Sequence, residues 1–188
     1  MSQADGVRAP GSPFPDSLVN LVRGHIRDIP DFPSPGILFR DITPLLADGP
    51  ALQALVDGLA EVYRGRIDAV AGIESRGFIL AAPIAATLGI GMITIRKAGR
   101  LPGPVIGVDY SLEYGQARIE LHPETVVTDS RVLVVDDVLA TGGTAAAAAS
   151  LIEEAGGEVV ALGMLLELGF LQGRAALTGR QVDSVLVY

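Results

Sequence analysis

The sequence of 188 residues contains no cysteine, which excludes disulfide bonds and thiol nucleophiles and agrees with a reducing, cytoplasmic setting. Histidine is nearly absent as well. His25 and His122 stand in unlike surroundings, too few for a histidine-built metal centre or a Ser-His-Asp constellation. Positive charge is scarce: 14 Lys and Arg against 22 Asp and Glu leave a formal charge of -8, which argues against a nucleic-acid partner or an anionic membrane. Lys97 is the only lysine. Neither a GxxxxGK[ST] loop nor a GxGxxG fingerprint occurs, so ATP-type and dinucleotide-binding loops are excluded. The opening MSQADGVRAPGSPFPD lacks a basic segment followed by an apolar run, so it is no secretory signal. Residues 1 to 15 read instead as a disordered leader rich in Pro, Gly and Ser. One uncharged run, GFILAAPIAATLGIGMITI over residues 77 to 95, is long enough to cross a bilayer. Its Pro83, Gly89, Gly91 and many alanines split it instead into a buried helix and a following strand.

What is present reads as one domain over residues 16 to 188, with 49% apolar residues. Asp16 is placed to cap a first helix carrying Leu18, Leu21, Val22 and Ile29 near one face. IPDFPSPGILFRDITPLL holds four prolines in eighteen residues, so it is expected to be irregular for most of its length. A helix follows over about 50 to 63. Then come DAVAGI (strand), SRGFILAAPIAATLG (helix) and GMITIR (strand). KAGRLPGPVIGV reads as a basic Gly/Pro loop and VDYSLEYGQARIELH as a hairpin around Gly115. RVLVVDD (strand), TAAAAASLIEEAG (helix), EVVALGMLLEL (strand) and VDSVLVY (strand) close the chain. Buried β-branched strands alternating with helices predict an α/β fold, a central mostly parallel sheet flanked by helices. Ligands of such sheets lie at the carboxyl ends of the strands, which gathers Glu74, Lys97 and Asp136-Asp137 at one edge.

VVDDVLATGGT, residues 134 to 144, carries the most chemistry. A strand, a glycine turn and a helix start aim backbone N–H groups at a phosphate, and Thr141 and Thr144 add hydroxyls. Gly142 and Gly143 allow close approach. Asp136 and Asp137, as carboxylates, accept from hydroxyl donors or hold a hard cation. Taken singly, the turn is equally a threonine-capped helix start and the acids a solvated strand end. Together they suit a ribose diol bearing a 5′-phosphate. Glu74-Ser75-Arg76-Gly77 is an anion site at a helix start or an ordinary cap. Arg96, Lys97 and Arg100 on a Gly/Pro segment suit a polyanion, or form a solvated loop.

The VVDDVLATGGT segment resembles the 5-phosphoribosyl-1-pyrophosphate (PRPP) signature of type I phosphoribosyltransferases. PDFPSPGILFRDITPLL, GIESRGFILAAPIA and IRKAGRLPGPVIGVDYSLEYGQARIELH are similar to the branch of that family acting on adenine, over roughly residues 27 to 170. The resemblance implies transfer of the phosphoribosyl group from PRPP to adenine, giving AMP and pyrophosphate with Mg²⁺, by a homodimer. It implies a type I phosphoribosyltransferase fold with a base-binding hood over residues 16 to 48 and a mobile lid over 97 to 108. Asp136 and Asp137 would hold the ribose hydroxyls. Ala140, Thr141, Gly142, Gly143 and Thr144 would wrap the 5′-phosphate. Glu74, Ser75, Arg76, Arg96, Lys97 and Arg100 would serve pyrophosphate and the lid; the family often has a cis peptide in the first of these segments. Leu38, Phe39, Arg40 and Arg76 would meet adenine, with the Phe39 ring stacked on the base. Glu113 matches the catalytic position, where a carboxylate acts as acid or base on the purine. No metal site made by the protein alone is implied; Mg²⁺ would arrive with PRPP, near Asp136 and Asp137. Two alternatives share these motifs: a transferase for another nucleobase, and a regulator binding PRPP or a nucleotide without turnover.

Overall fold

Local sequence sets each element, and the elements place the site. The computed structural model describes residues 6–112 and 115–188. Its order is β1 (Val7–Arg8), α1 (Asp16–Gly24), β2 (Arg27–Pro30), β3 (Leu38–Asp41), α2 (Thr43–Ala47), α3 (Gly49–Tyr63), β4 (Ala69–Ile73), α4 (Arg76–Leu88), β5 (Gly91–Lys97), β6 (Ile106–Leu112), β7 (Gly115–Leu121), β8 (Arg131–Leu139), α5 (Gly143–Glu154), β9 (Glu158–Glu167) and β10 (Val182–Val187). Eight strands form one sheet in the order β1-β10-β9-β8-β4-β5-β7-β6, and β2 and β3 form a separate ribbon. The five central strands, β10 to β5, run parallel. Antiparallel strands flank them: β1 on one side and the β6–β7 hairpin on the other.

Alternation along β8 divides the core. Leu133 and Val135 join the cluster under α1, α3 and α4, whereas Val132 and Val134 join the cluster under α5. Two buried faces explain why this strand reads as an unbroken apolar run. The uncharged stretch 77 to 95 divides as expected: Gly89, at φ 68°, ends α4 and β5 begins two residues later. No helix among the described residues is long and apolar enough to cross a membrane. α3 starts where the Asp48 carboxylate accepts from the Ala51 N–H at 3.0 Å.

Several expectations are overturned. Residues 6 to 15 are part of the domain rather than a disordered leader. β1 pairs with β10 through Val7 and Val187, Phe14 is fully buried, and the Ser12 hydroxyl donates to the Ser184 carbonyl at 3.0 Å. Phe14 and Ala9 bring apolar surface to the core, and that burial outweighs the loop-like composition. Asp16 begins α1 without capping it and pairs with Arg8 at 3.1 Å; Ile29 lies in β2, beyond the helix. The proline-rich segment is more regular than expected, since β2 and β3 pair from Arg27↔Asp41 to Pro30↔Leu38. A two-stranded ribbon has two free edges, where proline is tolerated, and Pro33 and Pro35 fall in its connection. β8 also runs two residues past the aspartates, because Val138 and Leu139 continue to pair with β9. Strands likewise claim Lys97 and residues 106 to 108 from the basic loop.

Candidate active site

β4, β5 and β8 end along one rim, where a cleft of about 670 Å³ opens. Glu74, Ser75, Arg76, Lys97, Asp136, Asp137, Ala140 and Thr144 all line it, so residues up to seventy positions apart in sequence meet as the topology predicts. Thr141 and Gly142 line a smaller hollow that shares Asp136, Ala140 and Thr144 with the cleft. Gly143 is the first residue of α5. Glu113 and Tyr114 lie outside the described residues.

The paired acids differ. Asp137 is buried, and the Asp137 N–H donates to Asp136 Oδ1 at 2.9 Å. Arg76 Nη1 stands 2.9 Å from Asp137 Oδ2, an ion-pair distance, yet that buried oxygen has no well-aligned hydrogen bond among the described residues. Distance alone supports attraction there, while the missing alignment leaves a lone pair for another donor or a cation. Burial first, and then the Asp137 charge, push the Asp136 carboxyl well above the usual carboxylate range. A group that donates two hydroxyls, or a cation, would favour full ionisation of the pair.

The 140–144 turn is shaped by its glycine. Gly142 sits at φ 85°, where a side chain is strained, and a Cβ there would lie 2.2 Å from the Gly173 carbonyl oxygen. No side-chain cap closes α5, which leaves the amides of its first turn for an anion. Gly77 plays the matching part across the cleft: a Cβ would press to 2.5 Å from the Val135 carbonyl oxygen, so α4 starts hard against β8. The Glu74–Ser75 peptide just before it is cis.

At the third side, Glu74 braces the start of the 97–108 segment. Its carboxylate accepts from the Lys97 N–H at 2.9 Å and from Arg96 at 3.2 Å. The Lys97 N–H, aided by the Arg96 and Arg100 charges against the effect of burial, holds Glu74 below its ordinary pKa. Arg96 also donates to the Arg100 carbonyl, so its charge neutralises Glu74. Lys97 and Arg100, by contrast, make no side-chain ion pair among the described residues. Arg118 and Tyr110 complete the cleft. Arg118 went unselected in the sequence, although registering the hairpin on Gly115 sets it opposite Asp109, with which it pairs at 3.1 Å.

The β2–β3 ribbon meets the cleft at Arg76 of α4, whose guanidinium carbon is 5.6 Å from the Phe39 ring centroid. Phe32 packs edge-on against Phe39 with centroids 5.2 Å apart. Beside them, Leu38, Leu168 and Leu171 border an apolar cavity of about 450 Å³. Leu168 and Leu171 carried no motif in the sequence. The Arg40 guanidinium pairs with Asp28 and lies over the Tyr188 ring, 3.9 Å from its centroid, and the residue also borders that cavity. Asp41 binds Arg27 at 2.6 Å and the Thr43 N–H at 2.9 Å, tying the ribbon to α2.

Known proteins resemble the chain in sequence and backbone. Residues 45–177 match the phosphoribosyl transferase domain family. An adenine phosphoribosyltransferase of Clavibacter michiganensis is 56% identical over 167 residues, covering 89% of this chain and 95% of that protein. The crystal structure of the enzyme of that name from Thermoanaerobacter pseudethanolicus is 43% identical and superposes with a TM-score of 0.86, over 90% of this chain and 99% of that one. The Saccharomyces cerevisiae counterpart, solved with an imino-altritol bisphosphate and adenine, is 34% identical with a TM-score of 0.87, over 92% and 100% of the two chains. With so much of its sequence and backbone held in common, the chain belongs to the adenine phosphoribosyltransferase family.

Proposed function

We propose that the protein transfers the 5-phosphoribosyl group of PRPP to adenine, releasing AMP and pyrophosphate, in purine salvage. One observation carries the reading: the acid pair, the uncapped start of α5 and the Arg76 and Lys97 cations share a single cleft. The ribose hydroxyls donate to Asp136 and Asp137, and the 5′-phosphate takes the amides of the 140–144 turn. Pyrophosphate lies toward Ser75, Arg76 and Lys97, with Arg100 brought in as the 97–108 segment closes and excludes water. Adenine rests against Phe39, with Leu38 and the apolar cavity behind it. The N9–C1′ bond forms as the bond from C1′ to the pyrophosphate oxygen breaks, and the N9 proton passes to the Glu113 carboxylate.

Mg²⁺ prefers oxygen ligands, often one or two carboxylates plus substrate phosphates. The buried Asp137 Oδ2, which lacks an aligned hydrogen bond among the described residues, together with Asp136 fits such an ion carried in with PRPP. Held there, it would neutralise charge on the departing pyrophosphate. The family resemblance further supports a cytoplasmic homodimer.

Incubation with PRPP, Mg²⁺ and each nucleobase in turn tests the reading. Pyrophosphate release with adenine alone is the expected result. Release with hypoxanthine or guanine instead would reassign the base, and binding of PRPP without release would make the protein a regulator.

A further inference from the structure

The turn expected to hold the 5′-phosphate does not hold itself. It is glycine-rich, and its contact with the rest of the protein is backbone against backbone. A Cβ on Gly142 would meet the Gly173 carbonyl oxygen at 2.2 Å, and a Cβ on Gly173 would meet the Ala140 carbonyl oxygen at 2.2 Å. The two segments are therefore interlocked at the limit of van der Waals approach. Gly173 opens a 3-10 turn, Gly173–Leu177, that follows Gln172 at φ 52° and lies outside the sheet. Its next residue, Arg174, fastens that turn to the sheet. Arg174 Nε and Nη2 donate to the two Glu167 oxygens at 2.8 Å each, and Nη1 donates to the Val182 carbonyl at 3.0 Å. Glu167 is buried and also accepts from the Ser184 hydroxyl at 2.7 Å. A guanidinium fork on a buried carboxylate fixes both distance and angle, which a single hydrogen bond does not.

Resting on the function proposed above, we propose that Arg174, clamped by Glu167, is a positioning residue for the 5′-phosphate turn. It does not line the cleft. It sets where Gly173 stands, and Gly173 sets where the amides of residues 140 to 143 point. Errors in that aim fall on the phosphate before the base, because Phe39 belongs to β3 and only Leu168 and Leu171, which border the cavity behind it, adjoin this clamp. Misplacements of the order of an ångström are enough to matter at such a site.

AMP and adenosine differ only in the phosphate, so the ratio of their affinities isolates this turn. Calorimetry of the full chain with each ligand is the experiment. Wild type should bind AMP far more tightly than adenosine. Glu167→Gln, which keeps the shape, and Arg174→Lys, which keeps the charge without the fork, should each reduce that preference about tenfold or more while adenosine affinity stays within about twofold. Equal weakening of both ligands, or an unchanged preference, would overturn the positioning role. Should a variant fail to fold in thermal unfolding, Gly173→Ala reads the same contact from the other side. A wild-type protein with no preference for AMP would instead refute the phosphoribosyl reading itself.

Discussion

The two rims of the cleft are built on opposite terms. On the phosphate rim, Gly142 and Gly173 meet backbone to backbone, behind them stands a buried Glu167 with a forked arginine, and nothing has room to shift. On the lid rim, Gly99 and Gly103 lie at φ 72° and 77° with open space around them, and the tethers are Glu74 to the Lys97 N–H and Glu120 to the Gly99 N–H. In the proposed function, one rim is preorganised for a group common to substrate and product. The other, in the proposed function, leaves room for a segment that would admit PRPP and release pyrophosphate. A site can divide its labour this way because a phosphate oxyanion needs fixed dipoles, whereas a lid needs two accessible positions.

The comparison can be broken or sharpened in three places. The largest effect belongs to Glu113 on the lid-side hairpin. Glu113→Ala should lower kcat by roughly 10²–10⁴-fold while PRPP affinity changes little; parallel losses in single-turnover and binding measurements would make it a binding group only. Next come two glycines. Gly142→Ala and Gly103→Ala both place a side chain at positive φ, a strain of about 1–2 kcal/mol, but only the first adds a collision with backbone. The KM for PRPP should rise by about tenfold or more in Gly142→Ala and by less than about threefold in Gly103→Ala. Comparable values would erase the distinction between rims. The smallest effect concerns pH. Burial alone would raise Glu167, yet Arg174 and Ser184 outweigh it and hold the carboxyl below the ordinary glutamate value of 4.5. A depressed carboxylate stabilises the fold fully above 4.5 and loses that contribution as pH falls below it. Glu167→Gln should therefore melt several degrees below wild type near neutrality, roughly 5 °C, with the gap closing in acid. A gap that is constant with pH would assign the loss to shape rather than charge.

Much of this was legible in the sequence because period and punctuation are local. The apolar run into Asp136 and Asp137, the glycine turn and the alanine-rich helix gave strand, turn and helix in order, and the sheet rule then gathered Glu74, Lys97 and the acids. The ribbon of β2 and β3 was hidden because proline content argued for irregularity, while the pairing of Arg27 with Asp41 depends on contacts fourteen residues apart. β1 and Phe14 were hidden for a similar reason: a loop-like composition gives no sign that the edge of β10 and a gap in the core await it. Arg174 and Gly173 carried no motif, since their part is defined by backbone proximity to a turn thirty residues earlier. Glycine conserves no chemistry of its own; what it permits appears only in three dimensions.

The pairing of Val7 and Arg8 with β10 has a consequence for solubility. A sheet left open at its margin is a template on which further strands, including those of other molecules, can stack. Among the described residues the margins of the main sheet are β1 and β6. β1 is only two residues long, and beyond it the Val182 and Ser184 carbonyls accept from Arg174 and from the Ser12 hydroxyl, so little free backbone is left along β10 for a foreign strand.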